Sequence, residues 1–140
     1  MCKPLVIYTI MPATNGGTAT PEEYHKNIAK AAEAALSLHV AIHDSGIQRD
    51  QIRIICPQVM FEELYGVVPY DEVMRWCITI LEHASLSYYP VGSETSKGVE
   101  QEIQWCAART GDNGEPNPMT IFEHEELIVN FAKDYLHANS

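Results

Sequence analysis

Residues 93–102 read SETSKGVEQE. The hydroxyls of Ser93, Thr95 and Ser96, the ammonium of Lys97 and the bare backbone of Gly98 precede a carboxylate, Glu102, in the first turns of a helix-like run. Unpaired NH groups where a loop enters a helix hold the oxygens of a sugar or a phosphate. A carboxylate behind such a loop stabilises a positive charge developing on a sugar ring, or attacks it to form a covalent adduct. The same residues have plainer uses. Ser93 and Ser96 are good helix caps, and Glu102 and Glu100 sit on opposite flanks of one apolar stripe, so periodicity does not choose between them.

A second loop of similar chemistry, MPATNGGTAT at 11–20, supplies Pro12, Asn15, Gly16 and Gly17. Tyr24, Tyr88 and Tyr89 carry rings able to stack on a flat ligand; Tyr24 belongs to the apolar stripe of its helix, which leaves Tyr88 or Tyr89 for a pocket wall. His39 and His43 have the i, i+4 spacing of a metal face but lack the glutamate of H-E-x-x-H and a third ligand, so no metal is expected. EHEEL at 123–127 reads as the acidic first turn of a helix.

The elements that position these loops alternate in type. LVIYTI at 5–10 is a continuous β-branched, apolar run, as in a strand covered on both faces. Thr20, Pro21 and Glu23 form a capping box with proline at the first helical position. The helix they open carries Tyr24, Ile28, Ala31, Ala35, Leu38 and Ile42 on one stripe and stops near Gly46. A second strand spans 51–57, and the following QVMFEELYGVVP fits no single period. A helix over 70–84 turns Val73, Cys77, Ile80 and Ala84 inward. A third strand at 86–91 feeds the first loop described above, and a helix over 97–109 buries Val99, Ile103 and Cys106. GDNGEPNP is a loop, MTIF a fourth strand, and 123–136 a final helix with Leu127, Phe131 and Tyr135 on its inner face.

Strands and helices in this alternation predict one Rossmann-like, flavodoxin-like α/β domain over residues 1–140, with three layers and a parallel sheet of four to five strands. Ligands of such sheets collect beyond the carboxyl ends of the strands. Both hydroxyl- and glycine-bearing loops have that position.

The 140 residues carry a formal net charge of −10, which disfavours a polynucleotide partner. Cys2, Cys56, Cys77 and Cys106 form no C-x-x-C pair and are expected to be reduced thiols. The amino-terminal apolar run is too short for a signal peptide, and no run reaches the roughly 20 residues of a membrane span. A cytoplasmic protein without a membrane partner is expected.

The pattern S-x-G-V-x-x-E at Ser96, Gly98, Val99 and Glu102, together with IYTIMPATNGG and EEYHKNIAKAAEAAL, resembles the nucleoside 2-deoxyribosyltransferase superfamily, which includes the deoxynucleoside 5′-monophosphate N-glycosidases. The resemblance touches residues 5 to about 110 and is close at the two loops. It implies cleavage or transfer of the bond between a base and a deoxyribose. Glu102 would be the nucleophile, the Ser96 hydroxyl would lie near the 5′ end of the sugar, and Gly16 and Gly17 would let the backbone approach the sugar and base; from their own chemistry and loop positions, Pro12, Asn15, Tyr88, Ser93, Lys97 and Gly98 join them as candidate binding residues. It implies no cofactor and a homodimer or larger assembly. The surplus apolar residues of VMFEELYGVV at 59–68 suit such an interface. One position departs from the pattern: Cys77 stands where the family carries an aspartate. Either Asp71 substitutes for it, or base departure is assisted differently, or the protein binds a nucleotide without cleaving it.

Overall fold

The computed structural model describes residues 3–64 and 66–139; Cys2 and Tyr65 lie outside them. The apolar run near the amino terminus forms β1 (Leu5–Thr9), which is the hub of a parallel sheet. It pairs with β2 (Ile52–Ile55) on one side and β3 (Leu86–Tyr88) on the other, and β4 (Ile121–Phe122) adds to β3, giving the order β2-β1-β3-β4.

Alternation along β1 divides its side chains between two cores. Leu5 and Ile7 pack with Leu38 and Ile42 of α1 (Pro21–Asp44) and with Ile128 and Ala132 of α5 (Glu125–Ala138). Tyr8 and Ile10 face the opposite way, onto Cys77 and Leu81 of α3 (Tyr70–Leu81) and Val99 and Cys106 of α4 (Lys97–Ala108). The result is the three-layer, Rossmann-like α/β architecture that the sequence implies.

Helix α1 follows its pattern closely. Thr20 Oγ1 accepts from the Glu23 amide at 3.1 Å, Glu23 Oε1 accepts from the Thr20 amide at 3.0 Å, and all six stripe residues are buried. The stretch with no single period contains a one-turn helix, α2 (Pro57–Met60), and a 3₁₀ turn at Glu62–Leu64. Cys56, Cys77 and Cys106 are free thiols. No helix among the described residues is long and apolar enough to cross a membrane.

Three expectations need correction. In α3 the buried residues are Cys77 and Leu81, the latter not on the expected stripe, while Val73 and Ile80 are partly buried against the same core. MTIF forms a strand only at its last two residues, because Met119 turns into the core and its sulfur accepts from Ser87 Oγ at 3.2 Å. In α5 the buried residues are Ile128 and Ala132, one position from the expected face, so that Leu127 and Phe131 are 47% and 40% exposed. Phe131 instead bridges Phe122 and Tyr135, with ring centroids 5.7 and 6.4 Å apart, and this aromatic row flanks the short edge strand.

A shift of one residue turns a helix by about 100°, and stability distinguishes the two faces. Ile128→Ala should lower unfolding free energy by about 2–4 kcal/mol, the scale of a truncated core side chain. Leu127→Ala should change it by about 0.5 kcal/mol or less. Equal losses in urea titrations would return Leu127 to the core.

Candidate active site

Two glycine-bearing loops and the turn after β2 meet beyond the carboxyl ends of β1, β2 and β3, and enclose a cavity of about 430 Å³. The chain leaves β1 toward β2 on one side and reaches β3 on the other, so the strands' carboxyl ends part here to leave a crevice. The volume falls in the range of small-molecule sites.

The floor is built by Tyr8, Cys77 and Glu102. Glu102 is 4% exposed, the only buried carboxylate among the described residues, and the Tyr8 hydroxyl donates to its Oε2. Glu100, two residues earlier on the same helix, is exposed. Structure thus separates two glutamates that helical periodicity leaves equivalent. Burial pushes the Glu102 carboxyl up to about 8, while the bond from Tyr8 pulls the other way. Burial, and then the neighbouring Glu102, push the Cys77 thiol up to about 12 and hold the Tyr8 phenol well above its usual range. Near neutral pH, Glu102 is the group on this floor that changes charge.

The first wall is the loop after β1. Asn15, Gly16 and Gly17 all have positive φ, 50°, 74° and 88°, a succession that asparagine and glycine tolerate best. The Thr14 carbonyl accepts from the amides of Gly17 and Ala19 at 3.0 and 2.8 Å, closing the turn. Asn27 of α1 braces it from outside by donating to the Ala13 carbonyl at 2.8 Å.

Gln58 locks this wall to the turn after β2. Its amide nitrogen donates to the carbonyls of Thr9 and Met11 at 3.3 and 2.9 Å, and its oxygen accepts from Thr9 Oγ1 at 3.2 Å and the Cys56 thiol at 3.4 Å. Those four bonds occupy the whole carboxamide, so Gln58 braces rather than reaches for a ligand. Tyr24 donates to the Glu62 carbonyl at 2.6 Å and ties the same turn to α1.

The second wall is the start of α4. Ser96 is its N-cap, accepting from the Val99 amide at 3.2 Å, and it also lines the cavity, so capping and ligand contact are compatible in one residue. Gly98 lies under Tyr70: a Cβ there would stand 3.1 Å from the Tyr70 hydroxyl.

The structure therefore brings Glu102, Asn15, Gly16, Gly17, Ser96 and Gly98 to one cavity and leaves six candidates outside it. Asp71 is exposed on α3 and is not among the residues lining the cavity, whereas Cys77 lies on its floor. Tyr88 points to the opposite face of the sheet, into the core beneath α1 and α5, because strand alternation gives the cavity side to Ser87. Tyr89 does not line the cavity either; its hydroxyl donates to the Ser93 carbonyl at 3.1 Å. Pro12 and Ser93 border a separate shallow depression beside α1. Lys97 is exposed at the rim, with Nζ 5.5 Å from the centre of the Tyr70 ring. Sequence reasoning missed Tyr8, Gln58, Tyr70 and Met74. Gln58 alone had a usable signal, its place immediately after a strand's carboxyl end.

No lysine, arginine or histidine is among the residues lining the cavity, and no group of three or more His, Cys, Asp or Glu among the described residues is placed to hold a metal ion. No family model, curated protein or solved structure matches the chain. The fold and site define an α/β parallel-sheet protein with a switch-point cavity centred on one buried carboxyl.

That carboxyl couples stability to pH. Between 4.5, its ordinary value, and about 8, the folded protein keeps a proton that the unfolded chain has lost. Stability should therefore fall as pH rises through this window and level off above it. Glu102→Gln removes the effect, so the variant should gain melting temperature over the parent at pH 8–9 and gain little near pH 4–5. Parallel pH profiles for the two proteins would contradict the buried acid.

Proposed function

We propose that the protein cleaves or transfers the N-glycosidic bond of a nucleoside or nucleoside 5′-monophosphate, with Glu102 as the nucleophile. The observation that carries this reading is the buried Glu102 carboxyl, hydrogen-bonded by Tyr8, on the floor of a nucleoside-sized cavity walled by two polar loops. The resemblance at Ser96, Gly98, Val99 and Glu102 supports it.

The chemistry follows from charge. Breaking the bond between base and sugar builds positive charge on the anomeric carbon and ring oxygen. A carboxyl held largely neutral by burial becomes a much better anion once a positive centre forms beside it. Little reorganisation is required, since Tyr8 already donates to one oxygen and leaves the other for attack. The electron pair of the broken C–N bond leaves with the base, which takes up the proton that Glu102 gives up, and the carboxylate oxygen freed in this way bonds to the anomeric carbon. Water or a second base then displaces the glutamate and restores it. At the α4 terminus, the Ser96 hydroxyl and the NH groups of the first turn face the oxygen-rich end of such a substrate. Cys77, a thiol held protonated, takes the floor position beside Tyr8 and offers a donor rather than a second carboxylate.

Release of free base from a panel of nucleosides and their 5′-monophosphates, followed by chromatography, tests the activity. Glu102→Gln should cut turnover by several powers of ten while still binding ligand, because an amide forms no glycosyl ester. Glu100→Gln, on the exposed flank, should be nearly silent. Ligand-induced melting shifts with no base released from any substrate would instead make the protein a nucleotide-binding module.

The reading extends to assembly with a second copy of this chain. Val59, Met60 and Trp76 are exposed beside the cavity wall, and Trp76 packs on Phe61 with centroids 5.9 Å apart. Phe61 and Leu64 line the cavity itself, so a charge at either would disturb the site directly and report poorly on assembly. Trp76→Glu is the cleaner probe. Light scattering should find a dimer that this variant dissociates, with reduced turnover; a fully active monomer would overturn the pairing.

A further inference from the structure

The residue that spans the cavity from one loop to the other is Tyr70, which opens α3. Two glycines make room for it. A Cβ on Gly17 would stand 3.2 Å from Tyr70 Cβ, and one on Gly98 would stand 3.1 Å from its hydroxyl. Its side chain thus runs from the loop after β1 to the first turn of α4. The hydroxyl donates to Gln101 Oε1 at 2.7 Å, which fixes the far end of the ring. Lys97 Nζ lies over the ring, 5.5 Å from its centre, yet Lys97 does not line the cavity and Tyr70 does. The ring is therefore covered by a cation from the rim, while the Tyr70 side chain lines the same cavity as Glu102.

We propose that Tyr70 is a specificity-determining residue, on whose inner face the planar heterocycle of the substrate stacks. The proposal rests on the N-glycosidic reading above and deepens it by assigning the base-binding wall. A ring pinned at both ends offers stacking area at little cost in lost side-chain freedom. Stacking recognises any flat heteroaromatic ring, so the wall selects a base over a bare sugar without choosing among bases. Tyr70 is half-buried and belongs to neither core cluster, so packing of the fold does not account for its position.

The test compares Tyr70→Leu, which keeps bulk without a flat face, and Tyr70→Phe, which keeps the ring. Probes are free adenine, free cytosine, 2-deoxyribose and the nucleosides that the parent protein cleaves. Tyr70→Leu should weaken the free bases and raise nucleoside KM by about tenfold, with kcat and 2-deoxyribose affinity little changed. Tyr70→Phe should keep base affinity within about threefold. Equal weakening of base and sugar, or no weakening of the bases, would overturn the proposal. If Tyr70→Leu does not fold, Tyr70→Phe identifies the Tyr70 ring signal, by its loss, in an NMR spectrum of tyrosine-labelled protein. That signal should move when free adenine is added to the parent, and a fixed signal would overturn the proposal. Tyr70-dependent binding of bases by a protein that releases none would sink the glycosidic reading alone and leave the stacking wall standing.

Discussion

The hydrogen bond from Tyr8 to Glu102 is the constraint on which the site depends. It joins the central strand to the helix after β3, and it is made where neither partner reaches bulk water. A carboxyl in such a place is unfavourable unless neutralised or bonded; here burial favours the protonated form, and the Tyr8 donor opposes it by stabilising the anion. The sheet order makes the meeting possible. With β1 between β2 and β3, the cavity-side residues of β1 lie directly beneath the helices that pack on that face.

The walls are then held in place by hydrogen bonds from side chains of α1 and of the turn after β2. Gln58 spans Thr9, Met11 and Cys56, Asn27 holds Ala13, and Tyr24 holds the turn after β2. Loops braced in this way hold their polar groups in place before a ligand arrives, which is what electrostatic stabilisation of a short-lived charge requires. The floor works against stability: a buried, strongly shifted acid in a cleft is a recurrent mark of a functional site.

Much of this was legible in the sequence because local rules and the global fold agree. The α1 stripe with its capping box, the β-branched run of β1 and the loop carrying Asn15, Gly16 and Gly17 are readable from residue types alone. Ser96, Gly98 and Glu102 reach one cavity, the three residues on which the resemblance rests. What failed was orientation. Tyr88 stands at a strand end, where pocket residues are expected, yet one step of the pleat sends it to the other core. Leu127 and Phe131 were given the inner face of α5, where small shifts in helix phase decide between neighbouring apolar residues. Tyr8 was hidden for the opposite reason: in an apolar strand a tyrosine looks like packing, and its hydroxyl gains meaning only from Glu102, 94 residues away. Asp71 is near Cys77 in sequence, and the turn of the helix leaves it in solvent.

The central claim, that Glu102 itself bonds to the sugar, is tested most directly by trapping the intermediate. Protein mixed with a cleavable deoxynucleoside and quenched in acid within the first turnover should gain the mass of one deoxyribosyl group. Peptide mapping should place that group on Glu102. Base release at full rate with no adduct, or with the adduct on another side chain, would contradict the account.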